Sequence, residues 1–316
     1  MENPTHIPVL LDECLDALAP AISGEGAVAV DGTLGLGGHS EAILERFPAV
    51  TVVGIDRDEI ALAHATARLA KFDARFVPVH ATYDEIRRAL KTIGAESANG
   101  ILLDLGISSM QIDDADRGFA YAWDAPLDMR MDRTTELTAA DIIRNYTERE
   151  LERIFREYGE EKLAGRYARA IVAARADKSI ERSAELVDIL NVATPYALKN
   201  AGHPAKRVFQ ALRIEVNGEL EILRDAIDNA LDALAPGGRL VVLAYHSLED
   251  RIVKSAFVDA TSSKAPHDLP VIPADLKAGF RLVFSGARTA SESEIAANPR
   301  AASVKFRAIE RLEVAA

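Results

Sequence analysis

The chain has 316 residues, 48% hydrophobic and 27% charged, with net charge −12, one cysteine and seven histidines; that is room for one large domain or two smaller ones in an ordinary soluble balance. No apolar run reaches the roughly 18–20 residues that span a bilayer, and the start "MENPTHIPVLLDECL" lacks the basic and apolar blocks of a signal peptide. The lone Cys14 excludes an intrachain disulfide and fits a cytoplasmic location, and one Cys with scattered His makes no zinc pattern, so no metal site is expected.

The first hundred residues alternate strand and helix. "AVAVD" (27–31), "TVVGID" (51–56), "ARFVPVH" (74–80) and "GILLDLG" (100–106) read as four buried strands, with helices over 39–47, 58–70 and 83–93 between them. This rhythm predicts an α/β fold with a parallel sheet covered on both faces. From 107 to 207 no convincing strand appears. "LTAADIIRNY" starts a helical series with Thr138 as N-cap, and Leu151, Ile154, Phe155 and Tyr158 mark one apolar face. The spacing therefore predicts an all-helical domain over 108–207 inserted between two parts of the sheet domain, 1–107 and 208–316. Apolar residues from Phe209 to Leu234 predict one long helix, disturbed at Gly218 and ended by "APGG" (235–238). "RLVVLAYH" (239–246) is a fifth strand, 264–279 a loop, and "RLVFS" (281–285) and "SVKFRAIERL" (303–312) late strands.

Whole-chain charge argues against a nucleic-acid partner, but its distribution does not. Residues 162–213 sum to +6, leaving −18 elsewhere. A localised anionic contact and a solvated helix surface both explain such a stretch.

"VDGTLGLGGHSEAIL" (30–44) places four glycines between a strand and a helix. No lysine follows them, which argues against a phosphate-binding P-loop. The dinucleotide pattern G-x-G-x-x-G is incomplete because Ser40 stands at the third glycine. Asp56 ends the second strand, where a carboxylate takes adenosine ribose hydroxyls; NAD and S-adenosylmethionine share that ribose. Tyr83 either packs on an adenine or starts a helix. Asp104 ends the fourth strand and either faces the chemistry or caps a loop. His246 in "HSLED" reaches the same rim, where a lone histidine is more often structural.

Several long blocks, in order, resemble one family: "DGTLGLGGHS", "GILLDLGISSMQIDDADRGF", "PLDMRMD", "YGEEKLAGRYARAIV", "HPAKRVFQALRIEVNGELE" and "YHSLEDRIVK". They are similar to the RsmH (MraW) family of S-adenosylmethionine-dependent N4-methyltransferases that act on a cytidine of 16S ribosomal RNA in the small subunit. The resemblance implies a Rossmann-like class I methyltransferase domain with an inserted helical domain. It implies cofactor contacts from Gly37, Gly38, His39, Asp56, Tyr83, Asp104 and Gln111. Met110 stands where the family commonly has proline, and its freer φ makes the loop carrying Gln111 more mobile. Asp104, a backbone carbonyl near Leu105–Gly106, or His246 would accept the amine proton. Lys162, Arg166, Arg169, Lys206, Arg207 and Arg213 would hold RNA phosphates. Two rivals stay open: a non-catalytic RNA-binding assembly factor and an NAD(P)-dependent oxidoreductase.

Overall fold

The computed structural model describes residues 8–198, 202–263, 265 and 276–313. In chain order the helices are α1 (Leu11–Ile22), α2 (Gly38–Arg46), α3 (Glu59–Leu69), α4 (Ile86–Lys91), α5 (Ser109–Asp113), α6 (Ala139–Asn145), α7 (Glu148–Glu157), α8 (Ala164–Asp177), α9 (Ser183–Ala193), α10 (Ala205–Asn217), α11 (Glu219–Ala233), α12 (Ser247–Thr261) and α13 (Glu292–Ala297). The strands are β1 (Val28–Asp31), β2 (Thr51–Asp56), β3 (Phe76–His80), β4 (Ala98–Asp104), β5 (Leu234–Ala244), β6 (Phe280–Leu282) and β7 (Lys305–Arg311). The chain divides into two compact units, Met1–Gly106 with Leu220–Ala316, and Ile107–Glu219.

The first unit holds a seven-stranded sheet of order β3-β2-β1-β4-β5-β7-β6. The neighbouring pairs among β1 to β5 are parallel, and β7 pairs antiparallel with both β5 and β6. The strand order is that of the Rossmann-like class I methyltransferases. Alternate residues feed two apolar layers, as the two-residue period of a strand requires. Leu102, Val241 and Leu243 join one layer with Cys14, Leu18, Ile43 and Leu44. Ile101, Leu103, Leu240 and Val242 join the other with Ile86, Ile227 and Val253. The sheet reverses its winding between β1 and β4, so their carboxyl ends flank the crevice where open α/β sheets bind ligands.

The second unit packs α6 to α10 around Ile142, Leu151, Phe155, Tyr167, Leu186 and Leu212. Thr138 caps α6 in a reciprocal box with Asp141, and Thr147 caps α7 in another with Glu150. A buried polar knot ties the "PLDMRMD" loop to α10. Asn217 Nδ2 donates to Met129 O (2.8 Å), and Met131 N donates to Asn217 Oδ1 (2.8 Å). The buried Arg117 donates to the carbonyls of Arg130 and Met131, both at 2.9 Å.

Three local expectations differ. The long helix over 209–234 is two helices, because Gly218 adopts φ 61, a left-handed turn that ends α10. The compact helical unit accordingly takes in α10 and runs to Glu219 instead of closing at 207. "APGG" lies inside β5, with a register shift opposite Ala98–Gly100. Most of the loop expected over 264–279 lies outside the described residues.

Candidate active site

The glycine loop owes its path to backbone conformations that favour glycine. Gly35 (φ 50) and Gly37 (φ 77) are left-handed, and Gly37 precedes the first turn of α2. Gly38 is required by space instead, since a Cβ there would stand 2.6 Å from Pro8 Cγ. Likewise a Cβ on Gly32 would stand 2.5 Å from Leu103 Cδ2 and 3.3 Å from Tyr83 Cβ. Tyr83, at the start of a 3-10 turn over Tyr83–Glu85, thus packs beside the loop, partly buried.

Three carboxylates surround this loop. Asp31, at the end of β1, is fully buried; Ser40 Oγ donates to it at 2.7 Å and Thr33 N at 3.3 Å. Asp31 organises the loop from beneath. Asp56, at the end of β2, accepts from Gly35 N (2.7 Å) and Asp58 N (2.8 Å) while staying partly exposed. Burial pushes its pKa up to about 6, against the pull of those two N–H groups. Asp104, at the end of β4, is also partly exposed, and its backbone N–H donates to Thr33 Oγ1 at 2.6 Å. Burial, with the negative charge of Glu249, pushes its pKa up to about 7, and a hydrogen bond from Tyr245 opposes that rise. That bond, Tyr245 Oη to Asp104 Oδ1 at 2.6 Å, was not anticipated from sequence.

His39 lies buried in the first turn of α2, its Nε2 3.2 Å from Val9 O and its Nδ1 3.8 Å from Asp104 Oδ2. A carbonyl only accepts, so Nε2 carries the proton of the neutral ring. Burial holds the His39 pKa below its usual value, while the Asp31 charge pulls the other way. Gly37, Gly38, His39, Asp56, Tyr83 and Asp104 therefore gather at the carboxyl ends of β1, β2 and β4.

His246 has a structural task. It is the N-cap of α12, and its ring faces Glu249 (Nε2 to Oε1, 3.1 Å), whose carboxylate also accepts from Tyr245 N (2.8 Å) and His246 N (3.2 Å). The ring is turned to its own helix start, a placement that favours Asp104 over His246 as the candidate acceptor. Gln111 lies in the helical unit, 5% exposed, and its Oε1 accepts from Ser108 N (3.1 Å) in the capping box of α5. The capping box engages the very loop that Met110 was expected to loosen.

The cationic residues of the helical unit divide. Lys162, Arg166, Arg169, Lys206 and Arg207 are exposed. Arg166 Nε donates to Ala193 O, Arg169 faces Glu148 at 3.5 Å, and Arg207 donates to Glu160 O at 2.8 Å. Arg213 does not belong with them. Its guanidinium is forked onto Glu219 by two 2.8 Å bonds, with the side chains 14% and 9% exposed. The Gly218 turn brings Glu219 round to neutralise it. The hydrogen bond of Arg166 to Ala193 O sets its guanidinium at the end of α9, a segment that carries the exposed Val192 (86%) and Tyr196 (90%). Sequence periodicity could not flag these two, because exposure breaks no helical pattern.

The MraW methylase family matches residues 3–312 of the sequence. The chain belongs to that family. A ribosomal RNA small subunit methyltransferase H from a Nocardioides species is 55% identical over 98% of this chain and 98% of its own length. Proteins of the same name from Leifsonia xyli subsp. xyli and Thermobifida fusca are 57% and 53% identical, over 97% and 98% of this chain and 94% of their own lengths.

The strand-end carboxylates and the glycine turn fit the methyl donor that such a family uses. Asp56 keeps partly exposed oxygens for a ribose diol. The left-handed turn leaves no side chain at Gly35 or Gly37 to obstruct an amino-acid tail. The turn follows β1 at the sheet reversal, and Asp56 ends the neighbouring β2.

Proposed function

We propose that the protein is a cytoplasmic S-adenosylmethionine-dependent methyltransferase that modifies the exocyclic N4 amine of a cytidine in 16S ribosomal RNA, with the small ribosomal subunit as substrate. The family match along almost the whole chain carries the reading. When bound, S-adenosylmethionine supplies an electrophilic methyl group on a sulfonium. Asp56 takes the ribose hydroxyls, Gly37, Gly38 and His39 line the amino-acid end, and Tyr83 covers the adenine.

The cytosine amine is a weak nucleophile because its lone pair is delocalised into the ring. Placement and a hydrogen-bond acceptor are what the protein has to provide. Asp104 provides the acceptor: a carboxylate at the sheet reversal, partly exposed, with a pKa of about 7 close to the working pH. The target base leaves its stack to reach it. The exposed Lys162, Arg166, Arg169, Lys206 and Arg207 hold phosphates, and Tyr196 offers a face on which a base can stack.

The test is transfer from tritiated S-adenosylmethionine to isolated small subunits, with the methyl group mapped at nucleotide resolution. Label on the N4 of one 16S cytidine is expected, and loss of transfer in Asp104→Ala under single turnover. Label on another atom or RNA overturns the substrate. Near wild-type rates in Asp104→Ala with cofactor saturating overturn the role of Asp104.

A further inference from the structure

We infer that Tyr245 is a positioning residue for methyl transfer: by donating to Oδ1 of Asp104, it presents Oδ2 as the oxygen that takes the proton of the substrate amine. The inference rests on Asp104 being the proton acceptor.

Geometry comes first. Asp104 ends β4 in register with Leu243 of β5, and Tyr245 follows Leu243 by two residues. Adjacent parallel strands thus deliver the phenol and the carboxylate side by side, 2.6 Å apart, at the short end of the range for such a bond. A bond that short fixes the torsion of the carboxyl group and occupies Oδ1. The nearest ring nitrogen on the other side, Nδ1 of His39, is 3.8 Å from Oδ2, beyond hydrogen-bond length. In the neutral ring that nitrogen carries no proton. Oδ2 is therefore left with acceptor capacity.

The electrostatics agree. Glu249 at the start of α12 disfavours the charged carboxylate, as burial does, and Asp104 in turn raises the pKa of Asp31 on β1 and of Cys14 on α1. His39 on α2 is held neutral by burial. The Tyr245 hydroxyl acts in the opposite sense, favouring the ionised Asp104. The Tyr245 phenol is itself pushed far up by burial and by Asp104, so it stays a donor at any working pH. As the N4 lone pair forms the new N–C bond, the methyl–sulfur bond breaks with its electron pair left on sulfur. The proton lost from N4 passes to Oδ2.

The experiment is single-turnover methylation of unmethylated small subunits by the full-length enzyme between pH 6 and 9.5. Ionised Asp104 is the active form, so the rate rises with pH along an acid limb. In Tyr245→Phe that limb moves up by about one unit, giving a rate about fivefold lower at pH 7 that approaches wild type at pH 9.5. Affinity for S-adenosylhomocysteine changes less than twofold. An unmoved limb, or an equal loss at every pH, overturns the inference, because a merely structural tyrosine acts without regard to pH. Asp104→Asn separates the two claims: wild-type activity there removes the acceptor itself, whatever Tyr245 does. If Tyr245→Phe fails to fold, a fluorotyrosine at 245 replaces it. Its stronger donor must move the limb down, and an unmoved limb again overturns the inference.

Discussion

At Asp56 two backbone N–H groups favour the charged carboxylate, yet burial outweighs them and the group titrates at about 6. Ribose hydroxyls add donors that favour the charged form, so ligand binding should select it. Affinity for S-adenosylhomocysteine is expected to be flat above pH 7 and to weaken by up to about tenfold per unit below 6. Calorimetry across that range checks this, and Asp56→Asn should abolish the slope as well as weaken binding. Stability carries the complementary sign. Asp104 has a folded pKa of about 7, above its unfolded value of 3.8, so its contribution is present below the unfolded pKa and is lost as pH rises to about 7. Asp104→Asn should thus stabilise the ligand-free protein by an amount that grows from pH 4 to 7 and then levels off, read from urea midpoints. A gain that shrinks over that interval contradicts the assignment. Asp56 and Asp104 were legible in the sequence as strand-end acids, because an acid closing an apolar run is a local pattern. Tyr245 was not, since its partner lies 141 residues away in the chain. Gln111 was half legible. "Ser-x-x-Gln" at 108–111 is a helix-start signal, and the capping box it forms is visible in the sequence pattern.

Elements depend on a few positions that admit no ordinary side chain. Gly118 has φ 70, and a Cβ there would stand 2.1 Å from Pro126 O, which is backbone and cannot swing aside. Gly118→Ala is expected to cost several kcal/mol, the mark of a strained backbone site, with the loss seen in thermal unfolding. Asn217 closes the knot between α10 and the loop through Met129 and Met131, and Asn217→Ala should cost about 2–3 kcal/mol by stranding buried backbone groups. The apolar run from 209 to 234, read as one helix disturbed at Gly218, breaks there, because the left-handed Gly218 ends α10 while the apolar spacing continues. The same turn removes Arg213 from the candidate phosphate contacts. Arg213→Gln should therefore lower stability by removing the forked ion pair with the buried Glu219, while the salt dependence of RNA binding stays unchanged.

Over the whole molecule, an acidic chain carries its excess positive charge in one stretch, and five exposed cations of that stretch remain candidates. Replacing Lys162, Arg166 and Arg169 together by Gln should weaken RNA binding and flatten its logarithmic salt dependence by roughly 2, about 0.7 per single-strand phosphate contact. An unchanged slope in filter binding would take the three residues out of the interface. The alternation of strand and helix up to Gly106 and the strand starting at Arg239 were plain in the sequence, because each is locally patterned, whereas α12 was not read. The order in which strands pair was not, since pairing is settled by partners distant along the chain. That order has a consequence for synthesis. β4 is made before Ile107–Glu219 and β5 after it, yet the two are neighbours in the sheet. A nascent chain emerging from the ribosome can pair β1, β2, β3 and β4, but the centre of its sheet stays one-sided until the whole helical unit has followed. Asp104 is exposed early and meets Tyr245 late. The proposed proton acceptor is thus completed only after the whole helical unit has been made, by a chain whose proposed substrate is part of a ribosome.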